Sequence, residues 1–183
     1  MALTNSLTKW GAVSKTLHWV IVVLIIVQYT LAEAADDMTG YGKLVTLARH
    51  KSIGLTIFGL AVLRLLWRWM NPTPELPDGM KPWERWAAKL SHFGLYALLF
   101  AIPLAGWMLS SASNFPVSWF GLVRLPDFVP ADKELQHLFH DVHEGLFKGL
   151  VALAVVHVAA ALKHHFVNKD SVLKRMLPYG RVP

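Results

Sequence analysis

Four apolar runs, each about as long as a bilayer is thick, constrain this chain more than anything else in it. A hydrocarbon core about 30 Å deep takes about 20 mostly apolar residues in helical form, because lipid offers backbone amides no partner. Runs of that kind extend from about Leu17 to Ala34, from about His50 to Met70 and from about Leu90 to Ala112. The fourth, His143 to Leu162, is the end of a helix that begins near Asp132 and reaches about His165. Between the second and third, Asn71-Pro72-Thr73-Pro74-Glu75-Leu76-Pro77-Asp78-Gly79 breaks the helix, since each proline removes a backbone donor. Pro116, Pro126 and Pro130 make Ser113 to Pro130 a long surface segment. Hydrophobic residues are 54% and charged ones 16% of the chain, where soluble domains carry roughly 25% charged. The expected fold is all-α, an integral membrane four-helix bundle forming a single domain over residues 1–183.

The first run, preceded by Lys9 and Lys15 and ending in Ala32-Glu33-Ala34, has the outline of a cleavable secretory signal. His18 and Trp19 sit awkwardly in such a core, so the segment reads as the first membrane helix. Net charge is +6, but the basic residues flank apolar runs instead of clustering, which argues against nucleic acid as a partner. With the N-terminus in the cytoplasm, 12 of the 18 basic residues fall on that side, Arg181 among them, and 8 of the 12 acids on the other. Basic residues favour the cytoplasmic face, so both termini are expected there, in a bacterial inner membrane.

Zero cysteines exclude thiolate-bound iron–sulfur clusters, covalently attached c-type haem and disulfides. Any metal must sit on nitrogen or oxygen, with the 6 Met residues as the remaining sulfur ligands. Nine histidines in so apolar a chain therefore need a reason, because an ionisable group within a span is expensive and is by default functional. Their depths sort them. His143 and His157 lie 14 residues and about 21 Å apart on the fourth helix, nearly four turns, so both leave one face. His50 matches His143 at one end of the bundle, and His18 matches His157 at the other.

Two imidazoles facing across helices suit axial ligation of a haem iron. Gly54 near His50 and Ala154, Ala160 and Ala161 near His157 leave room for a porphyrin, though small residues also serve plain helix packing, as Gly145 and Gly149 do. Propionates need cations. Arg64 or Arg68 is expected to pair with those of the inner haem, and Arg49 and Lys51 with those of the outer one, while an arginine there could also snorkel to the surface. His92 has no depth-matched partner left; it either bonds a propionate or a quinone head group, or sits at the interface. His164 shares a face with His157 and is an alternative inner ligand, ranked lower because it follows Lys163 near the headgroups; the role of His165 stays open.

These segments resemble the four-helix bacterial cytochrome b561 family. The matching stretches are Ser14-Lys15-Thr16-Leu17-His18-Trp19; His50-Lys51-Ser52-Ile53-Gly54 with Arg64-Leu65-Leu66-Trp67-Arg68 and Asn71-Pro72-Thr73-Pro74; Ser91-His92-Phe93-Gly94-Leu95-Tyr96 on to Pro103 and Gly106. The last runs from His143 through His157 and Lys163-His164-His165-Phe166 to Lys174-Arg175-Met176, so the likeness covers nearly the whole chain. It implies a membrane cytochrome with two non-covalent b haems on His18, His50, His143 and His157. It also implies exchange of electrons with the quinone pool, as family members do; one type oxidises superoxide and passes electrons to ubiquinone. A patch of Lys43, Arg49 and Lys51 would focus an incoming anion, and Asn114 to Gly121, rich in aromatics, reads as a lid over the outer haem or as an interfacial anchor.

Two other readings compete. His137, His140 and His143 beside Asp141 and Glu144 suit zinc and would make the chain a metal-ion transporter or sensor, although the spans lack carboxylates for a path. Alternatively, the chain is a haem-b anchor subunit that passes quinone electrons to a separate redox enzyme, in the periplasm or the cytoplasm.

Overall fold

The computed structural model describes residues 2–77 and 79–179; Asp78 and Arg181, which entered the charge distribution, lie outside them. The elements in order are α1 (Ala12–Asp36), α2 (Gly40–Met70), α3 (Pro82–Ala112), β1 (Ser118–Trp119), β2 (Val123–Arg124), α4 (Lys133–Phe166) and the short α5 (Val172–Met176). All four long helices have the length and composition to cross a membrane.

The helices outlast the apolar runs. At 31 residues, α2 and α3 are each about 46 Å long, well beyond a core of about 30 Å. Hydropathy marks only the stretch that lipid surrounds, so α2 begins at Gly40 instead of near His50, and α3 at Pro82 instead of near Leu90. Pro82 is tolerated as the first helical residue, where its missing N–H would have no partner anyway. Glu84 Oε2 accepts the Lys81 amide at 3.0 Å and satisfies one further donor of that turn. The proline-rich stretch after Met70 ends α2 as expected.

Along α4 the sheltered side chains include His143, Leu146, Leu150, Leu153, His157, Ala161 and His164, a stripe at three- and four-residue spacing. The intervening valines are exposed, the pattern of a helix that turns one face to its neighbours and the rest to lipid.

The chain divides into two compact units. The hairpin unit comprises Ile21–Ala61 and Leu98–Gly149. Its core is Ile21, Ile57, Ala61 and Leu99, flanked by Leu24, Ile25, Ile53, Leu60 and Phe100. Tyr29 stacks on Phe147 at 6.0 Å, which brings α4 against α1. The segment after α3, read from the sequence as a long surface segment, carries a short hairpin. Its hairpin pairs Ser118 with Arg124 and Trp119 with Val123, around a turn in which Phe120 and Gly121 have φ of 48° and 75°. Two successive positive φ values make the tight turn whose twist matches the strands. The hairpin is tied to α2 by Ser52, whose Oγ accepts the Phe120 amide at 3.0 Å, and by Trp119 Nε1, which donates to Thr56 Oγ1 at 3.1 Å. Trp107 Nε1 donates to the Pro126 carbonyl at 3.0 Å and its ring packs on Phe128.

The terminal unit comprises the chain up to Val20, Val62–Ala97 and the chain from Leu150 on. Asn5 organises its first residues: Oδ1 accepts from the Gly11 amide and Ser14 Oγ at 3.0 and 2.7 Å, and Nδ2 donates to the Pro72 carbonyl at 3.1 Å. Gly11 has no room for a Cβ, because the Leu3 carbonyl lies against it. The segment after α4 closes back on α1, with Lys15 Nζ donating to Leu177 O at 3.0 Å and Trp19 Nε1 to Met176 O at 2.9 Å.

Candidate functional site

In the hairpin unit, His50 of α2 and His143 of α4 face each other with ring centroids 6.2 Å apart and planes inclined by 72°. Gly106 of α3 makes the approach possible. A Cβ there would lie 2.9 Å from His143 Cε1 and 3.1 Å from Nδ1. His143 Nδ1–H donates to the Ile102 carbonyl at 2.9 Å. Since a carbonyl only accepts, this bond puts the ring proton on Nδ1 and leaves the Nε2 lone pair free, the orientation a metal-ligating histidine needs. His50 Nδ1 is buried without a hydrogen bond, as is Gln28 Oε1. With metal–nitrogen bonds of about 2 Å, two imidazoles on opposite sides of one iron have centroids roughly 6 Å apart. The pair fits axial ligation of a haem.

In the terminal unit the expected couple has other neighbours. Arg64 Nη1 donates to His18 Nδ1 at 2.9 Å, which leaves the proton of a neutral ring on Nε2. His18 offers iron that nitrogen only once Arg64 turns to another acceptor, and a carboxylate is the stronger one. The ring against His157 is that of His92, at 5.5 Å and 66°, tighter than two rings sharing an iron. The sequence had left His92 without a partner because His157 had been given to His18; their shared depth was the signal for the contact.

Cations surround these rings. The Arg64 and Arg68 guanidinium carbons lie 5.7 and 5.8 Å from the centre of the Tyr96 ring. Among the described residues neither arginine takes part in an ion pair. Trp67 Nε1 and Ser91 Oγ are buried and lack hydrogen-bond partners. Four donor groups with so few acceptors suit the carboxylates that a haem carries.

Lys51, expected near an outer propionate, donates from Nζ to the Phe115 carbonyl at 2.9 Å and lies 3.4 Å over the Phe115 ring. A carbonyl and an aromatic face hold it to the segment after α3. Arg49 is exposed. His164, the alternative inner ligand, is buried on Asp170 at 2.5 Å and on Asn168. His165 Nδ1 is buried without a hydrogen bond. His140 is exposed beside Asp141, whereas His143 turns inward, so the zinc reading loses its cluster: among the described residues no group of three or more His, Asp or Glu is arranged to hold a metal ion. Gly106, the Ile102 carbonyl, Trp67 and Tyr96 were not singled out as site residues from the sequence, which shows which helix a residue is on but not which neighbouring helix it touches.

Residues 9–179 match the family model described as prokaryotic cytochrome b561. The chain is 36% identical over 180 residues to cytochrome b561 homolog 2 of Escherichia coli K12, covering 97% of this chain and 95% of that protein. It is 29% identical to cytochrome b561 homolog 1 of the same organism, over 88% of this chain and 93% of the relative. A Yersinia pestis protein named probable superoxide oxidase CybB is 27% identical, with 94% of this chain and 98% of that one covered.

Proposed function

Since the chain belongs to the prokaryotic cytochrome b561 family, and is thus a multi-pass membrane cytochrome of the b type that serves electron transfer, we propose that it carries electrons across a bacterial inner membrane through two haems. One is held by His50 and His143, the other by His18 and His157. Each haem, when bound, supplies a one-electron iron couple; the protein supplies ligands, orientation and charge.

The observation that carries this reading is the His50–His143 pair, 6.2 Å apart, with the second ring locked by Ile102 and admitted by Gly106. His143 Nδ1–H holds its imidazole in one tautomer, and the neighbouring glycine keeps the ring face clear. At the other site Arg64 and Arg68 place positive charge where carboxylates would otherwise be costly to bury. His92 packs edge-on against His157 and fixes its plane. Both termini are on the cytoplasmic side, as the distribution of Lys and Arg favours. The quinone pool is the electron partner, and superoxide is a candidate donor supported by the Yersinia relative's name.

Haem content tests the proposal. Purified protein should hold two haems per chain with a reducible b-type spectrum. His50→Ala or His143→Ala should each remove one and leave the other. A haem-free protein from cells well supplied with haem, or a His143→Ala variant that keeps both, refutes it. Oxidation of superoxide coupled to quinone reduction by the isolated protein would establish that activity; inactivity towards superoxide and quinol alike would point to a subunit that serves another enzyme.

A further inference from the structure

The opening turns of α3 carry a surface that electron transfer does not use. Pro82, Arg85, Trp86 and Lys89 line a cleft of about 180 Å³. That is the volume of about six waters. Leading away from the cleft, Trp83, Trp86, Leu90 and Phe93 are 63%, 71%, 71% and 72% exposed. At 100° per residue they fall within about 80° of arc and form one continuous stripe.

A cation stands beside this stripe. Lys89 Nζ lies 5.2 Å from the centre of the Trp86 ring, and among the described residues it has no hydrogen bond or ion pair. Glu84 is the acid on these turns, and both of its oxygens are taken: Oε1 by Lys163 Nζ at 2.5 Å and Oε2 by the Lys81 amide at 3.0 Å. It therefore does little to offset Lys89. Arg85 fixes the cleft wall, donating from Nη2 to Pro77 O at 3.1 Å and from Nε to Met80 O at 3.3 Å. Tryptophan and lysine beside each other at the end of an apolar helix stand at headgroup depth.

We propose that this cleft binds an anionic glycerophospholipid, its phosphate on Lys89 against Trp86 and an acyl chain along Leu90 and Phe93. Charge complementarity selects the occupant. A zwitterionic lipid offers the same chains but no net charge, and one lysine near the membrane surface is worth about fivefold in affinity for an anionic lipid.

The test is native mass spectrometry of the haem-loaded protein in a neutral detergent, titrated with phosphatidylglycerol or with phosphatidylcholine of the same acyl chains. One phosphatidylglycerol should stay bound per chain, with at least about fivefold preference over phosphatidylcholine. Lys89→Gln should remove the preference, Lys89→Arg should keep it, and Trp86→Ala should weaken binding of both lipids. An unchanged haem spectrum shows that each variant is folded. Equal retention of the two lipids by the unaltered chain overturns the proposal, as does a preference that survives Lys89→Gln. Glycerol phosphate displacing the lipid at equal concentration also overturns it, since the site would then be one for a free phosphate ester.

Discussion

Replacing Gly106 by alanine perturbs the His50–His143 site without removing either proposed ligand. The added Cβ would stand 2.9 Å from His143 Cε1 and 3.1 Å from Nδ1, where ordinary contact begins at 3.4 Å. The ring must retreat by about 0.5 Å, which exceeds the ~0.2 Å latitude of a metal–nitrogen bond. The same retreat stretches the 2.9 Å bond from Nδ1–H to the Ile102 carbonyl towards the limit of useful hydrogen bonding, a loss of about 0.5–1.5 kcal/mol. Loss of the group that orients a metal ligand typically costs 10- to 100-fold in affinity. Gly106→Ala should therefore weaken one haem by about that factor and leave the other intact, read as haem per chain falling from two towards one and as a weaker first or second step in haem titration. Gly149→Ala is the control. It lies on the same helix as His143, its Cβ meets nothing within 4 Å, and it should keep both haems while adding up to ~1 kcal/mol of helix stability. A Gly106→Ala protein that binds both haems with parental affinity refutes the account of this site.

At the second site, His18→Ala should abolish the inner haem, whereas His92→Ala should retain it with an altered reduction potential; the opposite outcome in a spectroscopic redox titration would make His92 the ligand. Ser52→Ala leaves the Phe120 amide and the Ser118 carbonyl short of a partner and should loosen the hairpin by about 1–3 kcal/mol. Faster proteolytic cutting at the Trp119–Val123 turn, with haem content unchanged, is the expected result. Asp170→Ala removes the acceptor of the buried His164 and should cost about 1–3 kcal/mol of thermal stability; a melting temperature equal to that of the parent would show the contact to be dispensable.

The four spans were legible in the sequence because bilayer thickness is an external ruler: a helix must be apolar for about 20 residues wherever lipid surrounds it. Helix ends were not legible to the same degree. Past the lipid boundary a helix continues on backbone hydrogen bonds alone, and Gly40-Tyr41-Gly42-Lys43 carries no hydropathy signal that it does so. Depth placed His50 level with His143, since the rise per residue is fixed. Rotation and reach were beyond it. That His92, level with His157, packs against that ring, or that Lys51 is spent on the Phe115 carbonyl, depends on how side chains from different helices meet. The segment after α3 looked like a loop because its strands are two residues long, too short to show alternation, and its fold rests on single hydroxyl and indole bonds to α2.

Two of the four proposed ligand histidines, His18 and His50, are each followed by residues that bolt the helix down. His18 precedes Trp19, whose indole N–H holds the Met176 carbonyl. His50 precedes Lys51 and Ser52, which hold the carbonyls of Phe115 and Ser118. In both cases the partner is a backbone carbonyl far along the chain, in α5 for Trp19 and in the segment after α3 for Lys51 and Ser52. A ligand must be held within a fraction of an ångström to share a metal with a second helix, yet the rotation of a lipid-embedded helix is only weakly resisted by apolar contacts, because lipid chains replace them at little cost. Directional bonds adjacent to each proposed ligand supply that resistance. Trp19→Phe, which keeps an aromatic side chain but removes the indole N–H, should then broaden the redox transition of the inner haem while leaving its stoichiometry unchanged; a transition as sharp as the parent's would mean that packing alone fixes His18.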